Sequence, residues 1–170
     1  MQKALQSLKY LVYGGDATLY SRLSVRENLE YFSALYGIED PEPAIKRLGF
    51  ELEFIDYIDE KVDTLSRGMR QRVYIAVALI NEPEVVLFDE PSLGLDVLGQ
   101  VRIKRITAKL RQEGKIVIYS TNILSEIAEL CDRILILHRG SQIECETIPT
   151  LEKRYGRSIS SLFIDIIGRR

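Results

Sequence analysis

Val85-Val86-Leu87-Phe88-Asp89-Glu90-Pro91-Ser92-Leu93-Gly94-Leu95-Asp96 is the stretch on which the fold turns. Its four leading apolar residues read as a strand buried on both faces of a parallel sheet. Asp89 then falls at the carboxyl end of that strand, the edge where open α/β sheets bind ligands. A carboxylate there suits Mg²⁺, held directly or through water, because this ion sheds its waters reluctantly. Glu90 projects differently from its neighbour and is placed to polarise a water for in-line attack on a γ-phosphate. The bland alternative is an Asp-Glu pair that ends a strand in a turn at Pro91. Asp96 is suited to cap a helix that runs to about Gln112 and stops at Gly114.

One helix length upstream lies Leu65-Ser66-Arg67-Gly68-Met69. It opens a helix over about 68–81 whose Met69, Val73, Ala76, Val77 and Ile80 make most faces apolar, which predicts burial. Ser66 precedes that helix, and Gly68 leaves its own backbone amide unobstructed. A helix mouth with free N–H groups and a hydroxyl is a ready anion site. An ordinary serine N-cap is the competing reading.

Around these two motifs, strands and helices alternate, which argues for an α/β core. Residues 8–13 read as a short strand, broken at Gly14-Gly15. Ser24-Val25-Arg26-Glu27 is a capping box opening a helix with Leu29, Phe32 and Tyr36 on one face, closed by Gly37. Asp40-Pro41 starts a second short helix that Gly49 is expected to end. Residues 24–63 thus read as a small helical subdomain set between strand pieces. Further on come a strand over 115–120, a helix through Cys131, and two strands flanking Arg139-Gly140-Ser141 as a hairpin. Two short helices over about 150–155 and 160–167 close the chain.

The bulk properties narrow the function. At 170 residues the chain has room for one domain with a real core. A net charge of -2 argues against a general nucleic-acid or membrane-surface binder, which would show a basic excess or stripe. The longest apolar runs are strand-length, well short of the ~18 residues that span a bilayer, so direct membrane insertion is not expected. Cys131 and Cys145 are two isolated thiols, as in a reducing compartment.

The paired motifs, in this order and at this spacing, resemble the signature motif, Walker B strand and D-loop of the ATP-binding cassette (ABC) ATPases. The likeness runs along nearly the whole chain. Leu23-Ser24-Val25-Arg26-Glu27-Asn28-Leu29 resembles the opening of the family's helical subdomain. Ser120-Thr121-Asn122, with Leu130-Cys131-Asp132-Arg133-Ile134, resembles its switch region, and Leu162–Gly168 resembles the end of ABC-2-type exporters. The resemblance implies a P-loop NTPase-like α/β core with an inserted helical subdomain (about 24–63), a signature-to-carboxyl part (64–149) and a helical tail (150–170). It also implies an ATPase subunit using ATP and Mg²⁺, peripheral on the cytoplasmic face of the membrane. Its partners would be a membrane permease subunit and a second nucleotide-binding domain, identical or not, with no nucleic acid. By resemblance Asp89 holds the metal, and Glu90 and Asn122 serve hydrolysis. Leu65, Ser66, Arg67, Gly68 and Met69 meet the ATP of the opposite protomer, and Asp96 links the two sites.

Several expected groups are absent or altered. No G-x-x-x-x-G-K-[ST] loop occurs; Gly114-Lys115 lacks the upstream glycine and runs into a strand. The Q-loop glutamine aligns with Gly15 and the switch histidine with Asn122, whose amide donates a hydrogen bond but carries no imidazolium charge. His138, the only histidine, lies in the hairpin and reads as structural. The missing first strand would leave sheet edges unpaired, so the chain is expected to be a fragment or a truncated form, inactive in isolation. An alternative is a non-catalytic partner that lends only its signature motif to another subunit's ATP. A repair or translation ABC protein would need tandem cassettes, heptads or basic arms, and none is present.

Overall fold

Three parallel strands carry the motif residues to one rim. They are β1 (Tyr10–Tyr13), β2 (Val85–Asp89) and β3 (Ile116–Ser120), paired in the order β1-β2-β3. The computed structural model describes residues 10–13 and 19–156, with 158 and 161. It forms two compact units, Met1–Ser120 and Thr121–Arg170.

In the first unit, helices α1 (Val25–Leu35), α2 (Glu42–Glu51), α3 (Arg67–Leu79) and α4 (Val97–Gln112) surround one main core. Val25, Leu29, Ile45, Leu52, Phe54, Val73 and Ala76 are buried in it, along with Ile103 from α4. Val62 and Leu65 lie in the same core, so packing is continuous across the boundary expected between 63 and 64. The capping box of α1 is complete: Glu27 N–H donates to Ser24 Oγ at 3.1 Å, and Ser24 N–H to Glu27 Oε2 at 2.7 Å.

Three local expectations change. Tyr36 is the C-cap of α1 and 37% exposed; the buried face is Val25, Asn28, Leu29 and Phe32. Asn28 can lie inside because its amide bonds Tyr20 N–H, Tyr20 C=O and Ser24 C=O. Gly49 does not end α2 but sits within it. A Cβ there would come 3.0 Å from Ile55 Cδ1, so the glycine allows close packing of the next turn. Burial of Leu52 and Phe54 draws the chain round instead, through Glu53 at φ +56°.

The third change concerns the sheet. Val86 and Phe88 of β2 are buried against Leu110, with Leu79 and Ile106 beside them. On the opposite face Ile116 and Ile118 of β3 remain 60% and 54% exposed. The unbroken apolar run therefore forms a one-sided, alternating strand among the described residues, because α3 and α4 cover only one face.

The second unit holds α5 (Leu124–Leu130), the antiparallel strands β4 (Arg133–His138) and β5 (Ser141–Thr147), and α6 (Ile148–Tyr155). Ile134, Ile136 and Leu151 form its core. Arg139 and Gly140 turn the hairpin at φ +48° and +76°, as a two-residue type I′ loop requires. The helix expected over 160–167 lies outside the described residues.

Candidate functional site

The rim of the sheet is organised by a residue of the neighbouring strand. Parallel register sets Asp89 beside Ser120. Ser120 Oγ–H donates to Asp89 Oδ1 at 2.5 Å and also accepts Glu90 N–H at 3.0 Å. Glu90 N–H is shared with the Ser120 carbonyl at 3.1 Å. These bonds hold Glu90 at φ +45°, a left-handed conformation that costs a non-glycine residue about 1–2 kcal/mol. Both carboxylates stay exposed. Strain at an exposed carboxylate, fixed from a second strand, is a feature a plain strand-ending turn does not need. Sequence reasoning missed Ser120 as a site residue; its one signal was its place at the end of the adjoining strand.

The donor set suits a hard cation. Asp89 keeps its other oxygen without a protein partner among the described residues, and Ser120 supplies an oxygen beside it. No cluster of three or more His, Cys, Asp or Glu side chains able to hold a metal lies among the described residues. An ion at Asp89 thus matches the Mg²⁺ habit of one or two carboxylates completed by water and substrate phosphate.

The second motif forms the mouth of α3. Ser66 is its N-cap and accepts Met69 N–H at 3.2 Å, so the capping reading holds while the hydroxyl proton stays available to donate. The amides of Arg67 and Gly68 have no acceptor among the described residues, as expected for a first helical turn. A Cβ on Gly68 would meet nothing within 4 Å, so the mouth is open. Leu65 belongs to the core instead: it is 4% exposed, and its carbonyl takes Arg70 Nη1 at 2.6 Å. It seats the motif and offers no free group to a ligand. The Arg67 guanidinium turns onto the Leu93 carbonyl, which leaves its backbone amide as the group facing outward.

Between the two motifs, Ser92 is buried with its hydroxyl 3.0 Å from Tyr119 Oη. Asp96 caps α4 by accepting Gly99 N–H at 2.7 Å. Asn122 is exposed in the second unit, next to Thr121, whose hydroxyl donates to the buried Glu126 at 2.6 Å and accepts Ile123 N–H at 3.0 Å. Gly15 lies outside the described residues. His138 Nε2 is buried without a hydrogen-bond partner among them.

Known proteins resemble this chain in sequence and in fold. The ABC transporter family matches residues 2–93. The ABC transporter ATP-binding protein NatA of Bacillus subtilis is 34% identical over 162 residues, covering 94% of this chain and 66% of NatA. The linearmycin resistance ATP-binding protein LnrL of the same organism is 34% identical over 144 residues, 83% of this chain and 46% of LnrL. The chain thus spans between about half and two thirds of these relatives. A solved ATP binding subunit of an ABC transporter aligns with a TM-score of 0.85 at 26% identity, covering 94% of this chain and 68% of that one. With its family match extending over more than half of its residues, the chain belongs to the ABC transporter family.

Proposed function

We propose that this chain is the ATP-binding and ATP-hydrolysing part of an export-type ABC transporter subunit that drives a separate membrane permease. The observation that carries the reading is the Asp89–Ser120–Glu90 arrangement at the sheet rim, in which one hydroxyl holds the Asp89 carboxylate and the Glu90 backbone amide while both acidic residues stay exposed. Asp89 would hold Mg²⁺, which when bound neutralises charge on the phosphates. Glu90 orients a water and takes its proton. The amides of Arg67 and Gly68 and the Ser66 hydroxyl, held in place by the Met69 amide, face the ATP of an opposing nucleotide-binding domain, identical or not. Asp96 fixes the start of α4 where the two domains meet. Asn122 donates its amide to a phosphate oxygen, a role that rests on resemblance alone.

The export direction draws on the similarity to LnrL, a linearmycin resistance ATP-binding protein. Coupling to the permease is assigned to the helical subdomain 24–63. No helix among the described residues is long and apolar enough to cross a membrane, in keeping with a partner that does. Peripheral placement on the cytoplasmic face follows from that partnership.

Glu90→Gln in the complete gene product tests this. Hydrolysis should fall about 10²–10⁴-fold while ATP binding persists, because only proton transfer is removed. The second reading, a non-catalytic partner, is favoured by Asn122 at the switch position. Turnover unchanged by Glu90→Gln would select it.

A further inference from the structure

Two side chains four residues apart on α3 share one face, and both point at the loop that follows β2. The buried Gln71 donates through Nε2 to the Pro91 carbonyl. Arg67 Nη2 donates to the Leu93 carbonyl at 3.3 Å. Gly94, at φ +72°, lies under the guanidinium: a Cβ there would come 2.6 Å from Arg67 Nη1. From the other side, the Ser92 hydroxyl is fastened to Tyr119 of β3. Two short turns complete the loop, Leu93 N–H to Glu90 C=O at 3.0 Å and Leu95 N–H to Ser92 C=O at 3.3 Å. Three separate attachments are more than a connector of six residues needs to stay folded.

We propose that Arg67 and Gln71 are positioning residues, bracing the carboxylate loop against the mouth of α3 so that the two move as one body. The consequence rests on the function proposed above. There, the mouth faces the nucleotide of the opposing domain, while Glu90 serves the nucleotide bound on its own side. A rigid link between them makes closure on one nucleotide set the geometry at the other. The arginine at position 67 ties the motif to its own chain's loop.

The test reads amide exchange and turnover in the complete gene product. Arg67→Ala and Gln71→Leu should each speed exchange of the Leu93 and Leu95 amides about tenfold or more, with core amides such as Val77 unchanged. Gln71→Leu should lower kcat about tenfold with KM within about threefold, and bring the Hill coefficient for ATP towards 1. Arg67→Lys keeps one donor and should recover part of the exchange protection lost in Arg67→Ala. Unchanged exchange in both variants overturns the brace. Faster exchange with an unaltered Hill coefficient overturns the coupling and leaves the brace standing. A wild-type protein that hydrolyses no ATP sinks the functional reading and the coupling with it, while the exchange data still judge the brace.

Discussion

Leu29, Ile45, Phe54 and Val73 are shielded completely from solvent, whereas Ile116 and Ile118, in the same unit, keep more than half of their surface exposed. The helical part closes its core together with α3 and with Ile103 of α4. Among the described residues the sheet has helices on one face and none on the other, and the uncovered face is the one that ends in Asp89 and Ser120. Burial and chemistry are thus segregated: the packed face supplies rigidity, and the uncovered face offers oxygen ligands to solvent. Apolar strand residues leading up to the carboxylates make this face suited to contact with further protein.

The sharpest way to break the contrast is to truncate one residue on each side. Phe54→Ala should cost about 3–5 kcal/mol, since a fully enclosed ring leaves a cavity that its neighbours fill poorly. Ile118→Ala should cost about 1 kcal/mol or less, because the side chain is already half in water. Urea titration measures both. Equal losses would mean that the open face is covered in solution.

A pair of serine caps sharpens it further. Ser24 and Ser66 each accept an amide from the first turn of a helix, and Ser24 alone has a reciprocal glutamate. Replacing either by alanine should lower stability by about 0.5–2 kcal/mol. Only Ser66→Ala should also weaken ATP-dependent turnover in the complete protein, because its hydroxyl proton faces an open mouth and not another residue. Similar turnover in the two variants would reduce Ser66 to a cap.

What the sequence shows of this molecule follows the range of the interactions. Capping by Ser24, Ser66 and Asp96, and the Arg139-Gly140 turn, are written within four residues and are legible. Asp89 and Glu90 at the rim follow from a strand ending. The grip of Ser120 on both does not, for it joins residues thirty apart through sheet register. Gln71 is a polar residue on a helix read as apolar on most faces, and only the Pro91 carbonyl explains how its amide is buried. Gly49 reads as a helix stop because local rules cannot foresee that Ile55 needs its missing side chain. The apolar run of β2 reads as doubly buried since composition cannot say which face receives a layer.

The smallest effect belongs to the capping box itself. The Ser24 N–H bonded to Glu27, helped by the Ser24 side chain, holds the Glu27 carboxyl below its ordinary range. A depressed carboxyl binds fewer protons folded than unfolded, so stability rises with pH through this window. The contribution is complete above the ordinary glutamate value near ~4.3 and fades as pH falls through the lower, folded one. Glu27→Gln keeps the shape without the charge. The wild type should therefore be the more stable of the two above about pH 5, by a small margin because Glu27 is in contact with water, and the difference should shrink steadily towards pH 3. Urea midpoints across that range measure it. A difference independent of pH would place the benefit in packing of the side chain, and the helical part would then owe its closure to burial alone.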